Sequence, residues 1–222
     1  MQVQKIEPLH NQAYQIIKKM ILEGDYQPGE RIVELKLANI LGTSRGPVRE
    51  AIRMLMQDGL IVQNDGMLTV LNINSQDIVN IFEIRQSLES LAAKLAAHHI
   101  SEDQLNQIEM NIANSRIALK TGDIPKLIQC DQEFHDLIAQ CSNNKHLLQL
   151  YEVIKTKINF IRFCIIKNYY KNFLNFVDEH QLIYDALKAK NQSKAENEMF
   201  THIQKNLDVS STLYNSAAEK KN

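Results

Sequence analysis

Two groups of side chains in this sequence have the residue types and spacing to do chemistry. The first lies in GTSRGPVREAIRML, Gly42 to Leu55, where Arg45, Arg49 and Arg53 recur every four residues. At about 100° per residue the three guanidinium groups fall within an arc of about 80°, and Val48, Ala51, Ile52 and Leu55 form a separate apolar stripe. One face packs and the other carries charge. An isolated stripe of this kind is most simply a solvated face. Here only Glu50 within residues 42–57 can neutralise it, and turn residues and a hairpin signal flank it. Guanidinium groups at the start of such a helix bridge phosphates or reach O6 and N7 of guanine bidentately. Ser44 and the first backbone N–H groups can also hold a phosphate.

The second group lies in the C-terminal half. Asp131 and His135, in CDQEFHDLI, are four apart and project from one face of a helix. His180 shares an apolar face with Ile183, Tyr184 and Leu187, and His202 one with Met199, Ile203 and Leu207. A helical hairpin sets those two histidines side by side. Each one alone reads as a hydrogen-bonded core residue. Together, an aspartate and three neutral imidazoles can bind Zn²⁺, Ni²⁺, Mn²⁺ or a similar divalent ion and leave coordination positions open. An open position can take the carboxylate of a small organic acid, oriented by a nearby cation. Arg85 and Arg162 are the candidates, since each interrupts an otherwise apolar helix, although Arg85 also has Glu89 at i+4 for a plain ion pair. Tyr184 is a further pocket candidate or a core tyrosine. His10, His98, His99 and His146 fit no ligand pattern and are expected at the surface.

These side chains need a scaffold, and periodicity supplies one. Apolar positions predict helices over 7–23, ended by Gly24, over 33–41, ended by Gly42, and from an N-cap at Ser44 to Gly59, with Pro47 in the first turn. The period then changes to two. Leu60–Val62 and Met67–Leu71 read as short strands around a turn at Gln63-Asn-Asp-Gly66. Three helices and a hairpin are a winged helix-turn-helix. The polar run 72–77 suggests a boundary, giving domains 1–73 and 74–222. Beyond it, helices are predicted over 75–98, 101–120, 124–141, 144–168, 171–189 and 193–215, an antiparallel bundle with a frayed SAAEKKN tail. The fold class is mainly α.

Bulk properties narrow the functions. The formal net charge is −1, and residues 1–74 hold four lysines and four arginines against five glutamates and three aspartates. A neutral module with one basic helix suggests focused docking, not a non-specific electrostatic wrapper. The N-terminus lacks an apolar signal region and the apolar runs are too short to cross a bilayer, so the expected location is cytoplasmic, with no membrane partner. Three cysteines without CxxC spacing suit buried or half-buried thiols in a reducing compartment.

The run ELKLANILGTSRGPVREAIRMLMQDGLIV strongly resembles the winged-helix signature of GntR-type bacterial transcription regulators, closest over SRGPVREAIRML and DGLI. With an all-helical second half, nearly the whole chain resembles the FadR-like branch, whose effector domain is called FCD. The resemblance implies that Arg45 and Arg49, with Arg53 on the same stripe, read or clamp operator DNA. Ser44 and Gly46 would sit at the groove and Gly66 at the wing tip. The wing departs from the usual pattern: Gln63, Asn64 and Asp65 supply no cation, and Asp65 repels phosphate. D-x-x-x-H, E-H-x-x-I and M-x-x-H resemble the FCD metal motif at Asp131, His135, His180 and His202. A homodimer joined through the FCD halves is implied, and it doubles the contact on a near-palindromic site. The expected function is a ligand-responsive repressor binding a divalent metal and a small organic acid. Alternatives are a regulator with a purely structural metal, or a metal-dependent hydrolase, for which HExxH and a P-loop are both absent.

Overall fold

The computed structural model describes residues 7–169 and 175–219. The chain divides into two compact units, Met1–Ile73 and Asn74–Asn222. In the first unit α1 (Leu9–Glu23) buries Ala13, Ile17 and Ile21. α2 (Glu34–Leu41) buries Leu37 and Ala38, and α3 (Arg45–Gln57) buries the apolar stripe Val48, Ala51, Ile52 and Leu55. Gly42 separates α2 from α3 at φ 62°, a left-handed position that a side chain would strain. Ser44 occupies the N-cap of α3 with extended backbone, but its side chain makes no cap hydrogen bond. Lys18 Nζ lies 3.1 Å from Asp58 at the C-cap of α3, and the Tyr14 hydroxyl also donates to Asp58, fastening α1 across α3.

β1 (Ile61–Asn64) and β2 (Met67–Val70) pair antiparallel, with Asn64 opposite Met67. The turn is therefore Asp65-Gly66 alone, two residues and not the four predicted. Both have positive φ, 50° and 76°, the combination whose twist matches that of the flanking strands. A second departure is an isolated bridge from the preceding loop to the outer edge of β2. Ile32 N–H donates to Leu68 C=O at 2.8 Å, Val70 N–H donates to Glu30 C=O at 2.9 Å, and Arg31 bridges to Thr69. The segment carries no apolar alternation and reads as loop from sequence.

The second unit consists, among the described residues, of α4 (Ser75–His99), α5 (Glu102–Thr121), α6 (Ile124–Cys141), α7 (Lys145–Tyr169), α8 (Phe176–Lys188) and α9 (Gln192–Glu219). The Asn74–Asp77 and Ser101–Gln104 pairs close capping boxes on α4 and α5, and Asp123 caps α6 through Lys126 N–H. α4 packs against α6, α7, α8 and α9. A helix with neighbours on so many sides buries polar and apolar residues alike, here Arg85, Glu89 and Ser90 beside Phe82 and Ala92. The predicted start of α8 at 171 lies outside the described residues, which resume at Asn175. α9 runs to Glu219, past the predicted end at 215, so the tail is helical through that residue. No helix among the described residues is long and apolar enough to cross a membrane.

Candidate metal centre and a basic helix face

Three helices of the bundle bring four side chains to one point. α6 supplies Asp131 and His135, α8 supplies His180 and α9 supplies His202, and all four are buried. One ligand atom from each lies within 4.8 Å of all the others. The shorter separations are 3.4 Å between the Nε2 atoms of His135 and His202, 3.5 Å from His180 Nε2 to Asp131 Oδ1, and 3.8 Å from His135 Nε2 to Asp131 Oδ1. Ligands about 2.0–2.2 Å from a tetrahedral ion are about 3.3–3.6 Å apart; the shorter separations are close to that, and the widest, up to 4.8 Å, is more open than four tetrahedral ligands need.

Outer contacts orient the rings. His202 Nδ1 meets Glu179 at 2.8 Å and His135 Nδ1 lies 2.5 Å from Glu89, so both Nε2 atoms face the centre. Carboxylates behind histidine ligands are a recurring feature of metal sites. His180 is stacked on Phe134, centroids 3.7 Å apart, and neither of its ring nitrogens has a hydrogen-bond partner. A fully buried imidazole with both nitrogens unmatched needs a partner that the side chains do not supply. Burial, then the Arg85 charge, hold His135 well below its ordinary pKa; burial and the neighbouring histidines do the same for His180. Both are therefore neutral at pH 7, with lone pairs available. Burial pushes the Asp131 carboxyl up, but neighbouring positive charge, that of Arg162 first, outweighs it and holds the carboxyl below the usual range.

Arg162 forms an ion pair with Asp131 and donates to Asn159 at 2.7 Å. Arg85 makes the i+4 ion pair to Glu89 at 2.8 Å, and its other edge reaches His135 Nε2 at 3.0 Å. Tyr184 is buried, with Lys188 over its ring. His98, His99 and His146 are exposed, whereas His10 is half-buried, a departure from the expected surface position. Cys130 and Cys141 are buried, and burial raises Cys141 to about 11, which disfavours a thiolate. Glu89 and Glu179 are the site residues that sequence spacing did not assign to the centre.

In the first unit Arg45, Arg49 and Arg53 line one exposed face of α3. Their charge is better matched than the sequence indicated: Glu34 of α2 accepts from Arg49 Nε at 3.2 Å and Nη2 at 3.1 Å, and also lies 3.5 Å from Arg45. Arg53 pairs with Glu50 at 3.3 Å. The hydrogen bonds from Arg49, ahead of all else, hold Glu34 below the usual carboxylate range. A side chain added at Gly46 would meet nothing within 4 Å, so the start of α3 has a bare patch of backbone between Arg45 and Arg49. Gly66 likewise faces open space at the hairpin tip.

Residues 9–70 match the gntR family of bacterial regulatory proteins, and residues 80–205 match the FCD domain. The chain is 34% identical over 203 residues to the HTH-type transcriptional regulator YdhC of Bacillus subtilis (strain 168), covering 90% of this chain and 89% of that protein. Identity to the HTH-type transcriptional repressor RspR of Escherichia coli (strain K12) is 27% over 204 residues, 91% of this chain and 89% of that one. The solved structure of E. coli McbR/YncC shares the fold, with a TM-score of 0.82 at 23% identity over 94% of this chain and 100% of that chain.

Proposed function

Because this chain belongs to the gntR family of bacterial regulatory proteins, carries an FCD domain and is thus a DNA-binding transcription regulator, not an enzyme, we propose that it is a ligand-responsive repressor. Its helical domain holds a divalent metal ion, Zn²⁺, Ni²⁺ or Mn²⁺, through Asp131, His135, His180 and His202. The effector is a small organic acid. The observation that carries this reading is the buried quartet itself, above all His180 with two unmatched nitrogens.

Charge supports the second half of the reading. Around the centre, Asp131 and Glu89 balance Arg85 and Arg162, and His135 and His180 are neutral. The buried cluster is close to neutral as it stands. A divalent ion adds two positive charges, which a dry interior tolerates only beside anions. When bound, the ion supplies an electrophilic position for a carboxylate. Arg85 and Arg162 are the cations that orient that acid, Arg85 through the edge now turned to His135.

The DNA face is α3 and the wing. Arg45, Arg49 and Arg53 contact phosphates or guanine edges, Ser44 and the first N–H groups of α3 hold a phosphate, Gly46 lets the backbone approach, and Gly66 leads the hairpin. Glu34 preorganises Arg45 and Arg49 before contact. With no cation at its tip, the wing adds little electrostatic affinity. Two copies form a homodimer on a near-palindromic operator, and effector occupancy changes operator affinity by a coupling of typically about 1–3 kcal/mol.

Thermal shift with a panel of organic acids, with and without chelator, tests the effector reading. Stabilisation by one acid only when metal is present is the expected result. A metal-dependent rise that no acid extends would make the metal structural.

A further inference from the structure

Resting on the metal reading above, we infer that Asn206 is a ligand-binding residue of the sensor: it donates to a carboxylate oxygen of the small acid at the metal's open position, and the acid enters beside it between α8 and α9. Asn206 lies one turn beyond His202 on α9, and its amide Nδ2 is 3.1 Å from His202 Nε2, the nitrogen that faces the centre. One turn further on, Ser210 Oγ donates to the Asn206 backbone carbonyl at 2.5 Å. The quartet itself is sealed, with Asp131 at 4%, His135 and His202 at 1% and His180 at 0% exposure. Asn206 is half-buried and lines a cleft of about 260 Å³ together with Phe176, Glu179 and Lys205. Glu179 stands behind His202 at Nδ1 and is also held by Lys205 at 3.0 Å. Asn206 touches the same ring from its metal-facing side, and so joins the cleft to the centre.

Donor and acceptor accounting gives its role. As the structure stands, two N–H donors point at metal-facing nitrogens: Asn206 at His202 and Arg85 at His135, the latter at 3.0 Å. A cation bound by the quartet takes both lone pairs, so both donors lose their acceptor at once. An anionic oxygen at the open coordination position would restore it. Arg85 on α4 and Asn206 on the neighbouring α9 then grip a carboxylate, one charged and one neutral.

The test uses the full chain loaded with Co²⁺, whose visible d–d spectrum reports occupancy of the site and any change in its exposed position. Acetate, glycolate, oxalate and citrate are titrated into the parent, Asn206→Ala and Asn206→Asp. The alanine variant is expected to take up Co²⁺ as the parent does, but to need about tenfold more acid for the same spectral change, as loss of one hydrogen bond to a charged group requires. The aspartate variant is expected to bind Co²⁺ more tightly and lose the acid response, because its carboxylate occupies the open side. An alanine variant that titrates like the parent, or an aspartate variant that keeps the acid response, overturns the role of Asn206 while leaving the metal centre intact. A parent that takes up no Co²⁺, or takes it up and answers none of the four acids, overturns the underlying reading and this one with it.

Discussion

Replacing His180 by leucine separates a metal centre from an ordinary histidine core by the sign of its effect. A neutral imidazole has one N–H and one lone pair, and in His180 neither makes a hydrogen bond. Each unmade bond in a buried site costs about 1–3 kcal/mol. The 3.5 Å approach of Nε2 to Asp131 recovers a fraction of that cost. Leucine is close to imidazole in volume but forfeits the stack on Phe134, worth about 0.5–1.5 kcal/mol. The metal-free variant should therefore be more stable than the parent by about 1–3 kcal/mol. With Zn²⁺ a thousandfold above its Kd the parent gains about 4 kcal/mol and the variant, short of a ligand, gains far less, so the order reverses. Urea denaturation followed by circular dichroism, once with chelator and once with Zn²⁺, reads both arms. A leucine variant destabilised equally in the two conditions would refute the reasoning, since that is how a satisfied core histidine behaves.

Four further outcomes are expected. Elemental analysis of His135→Ala and of His202→Ala should show loss of the bound metal, and parent-like content would count against those ligands. Arg49→Ala should weaken operator binding by about 1–3 kcal/mol in a mobility-shift titration and leave the bundle's thermal transition unchanged. Glu34→Gln should raise binding to random duplex, through one less negative charge on that face, while narrowing the ratio of specific to random affinity because Arg45 and Arg49 lose their common anchor; an unchanged ratio would contradict the preorganising role. The metal-free protein should lose stability as pH falls below 6.5, because the unfolded chain takes up protons there that folded His135 and His180 refuse. That stability is fully present above 6.5, each histidine contributes a slope of about 1.4 kcal/mol per pH unit below it, and His180→Leu should remove one of the two.

The parts legible in the sequence were those governed by a single helix or hairpin. The separation of Arg45, Arg49 and Arg53 from Val48, Ala51, Ile52 and Leu55 is helical geometry, and Asp65-Gly66 is turn chemistry. Asp131 and His135 meet because they are one turn apart. What escaped depends on contacts between elements. Glu34 neutralises arginines 11 and 15 residues away through the packing of α2 on α3, which no periodicity encodes. The bridge from Arg31 to Thr69 forms by backbone pairing alone, without the alternation that announces a strand. Glu89 showed its i+4 relation to Arg85, and that ion pair is present, but its second oxygen faces His135 on another helix. Glu179, beside His180 in sequence, serves His202 instead. Asn206, one turn after His202, carried a usable signal in that spacing.

Whether the bundle centre governs the DNA face is measured directly by the operator affinity of one protein in three states. Duplexes selected from genomic fragments are titrated with chelator-treated protein, with metal-loaded protein, and with metal-loaded protein plus the acid that raises its thermal stability. The expected result is a marked preference for the selected duplex over random sequence, shifted about 5- to 150-fold by the acid only when metal is present. Equal affinity for selected and random duplexes, or a preference identical in all three states, would contradict it.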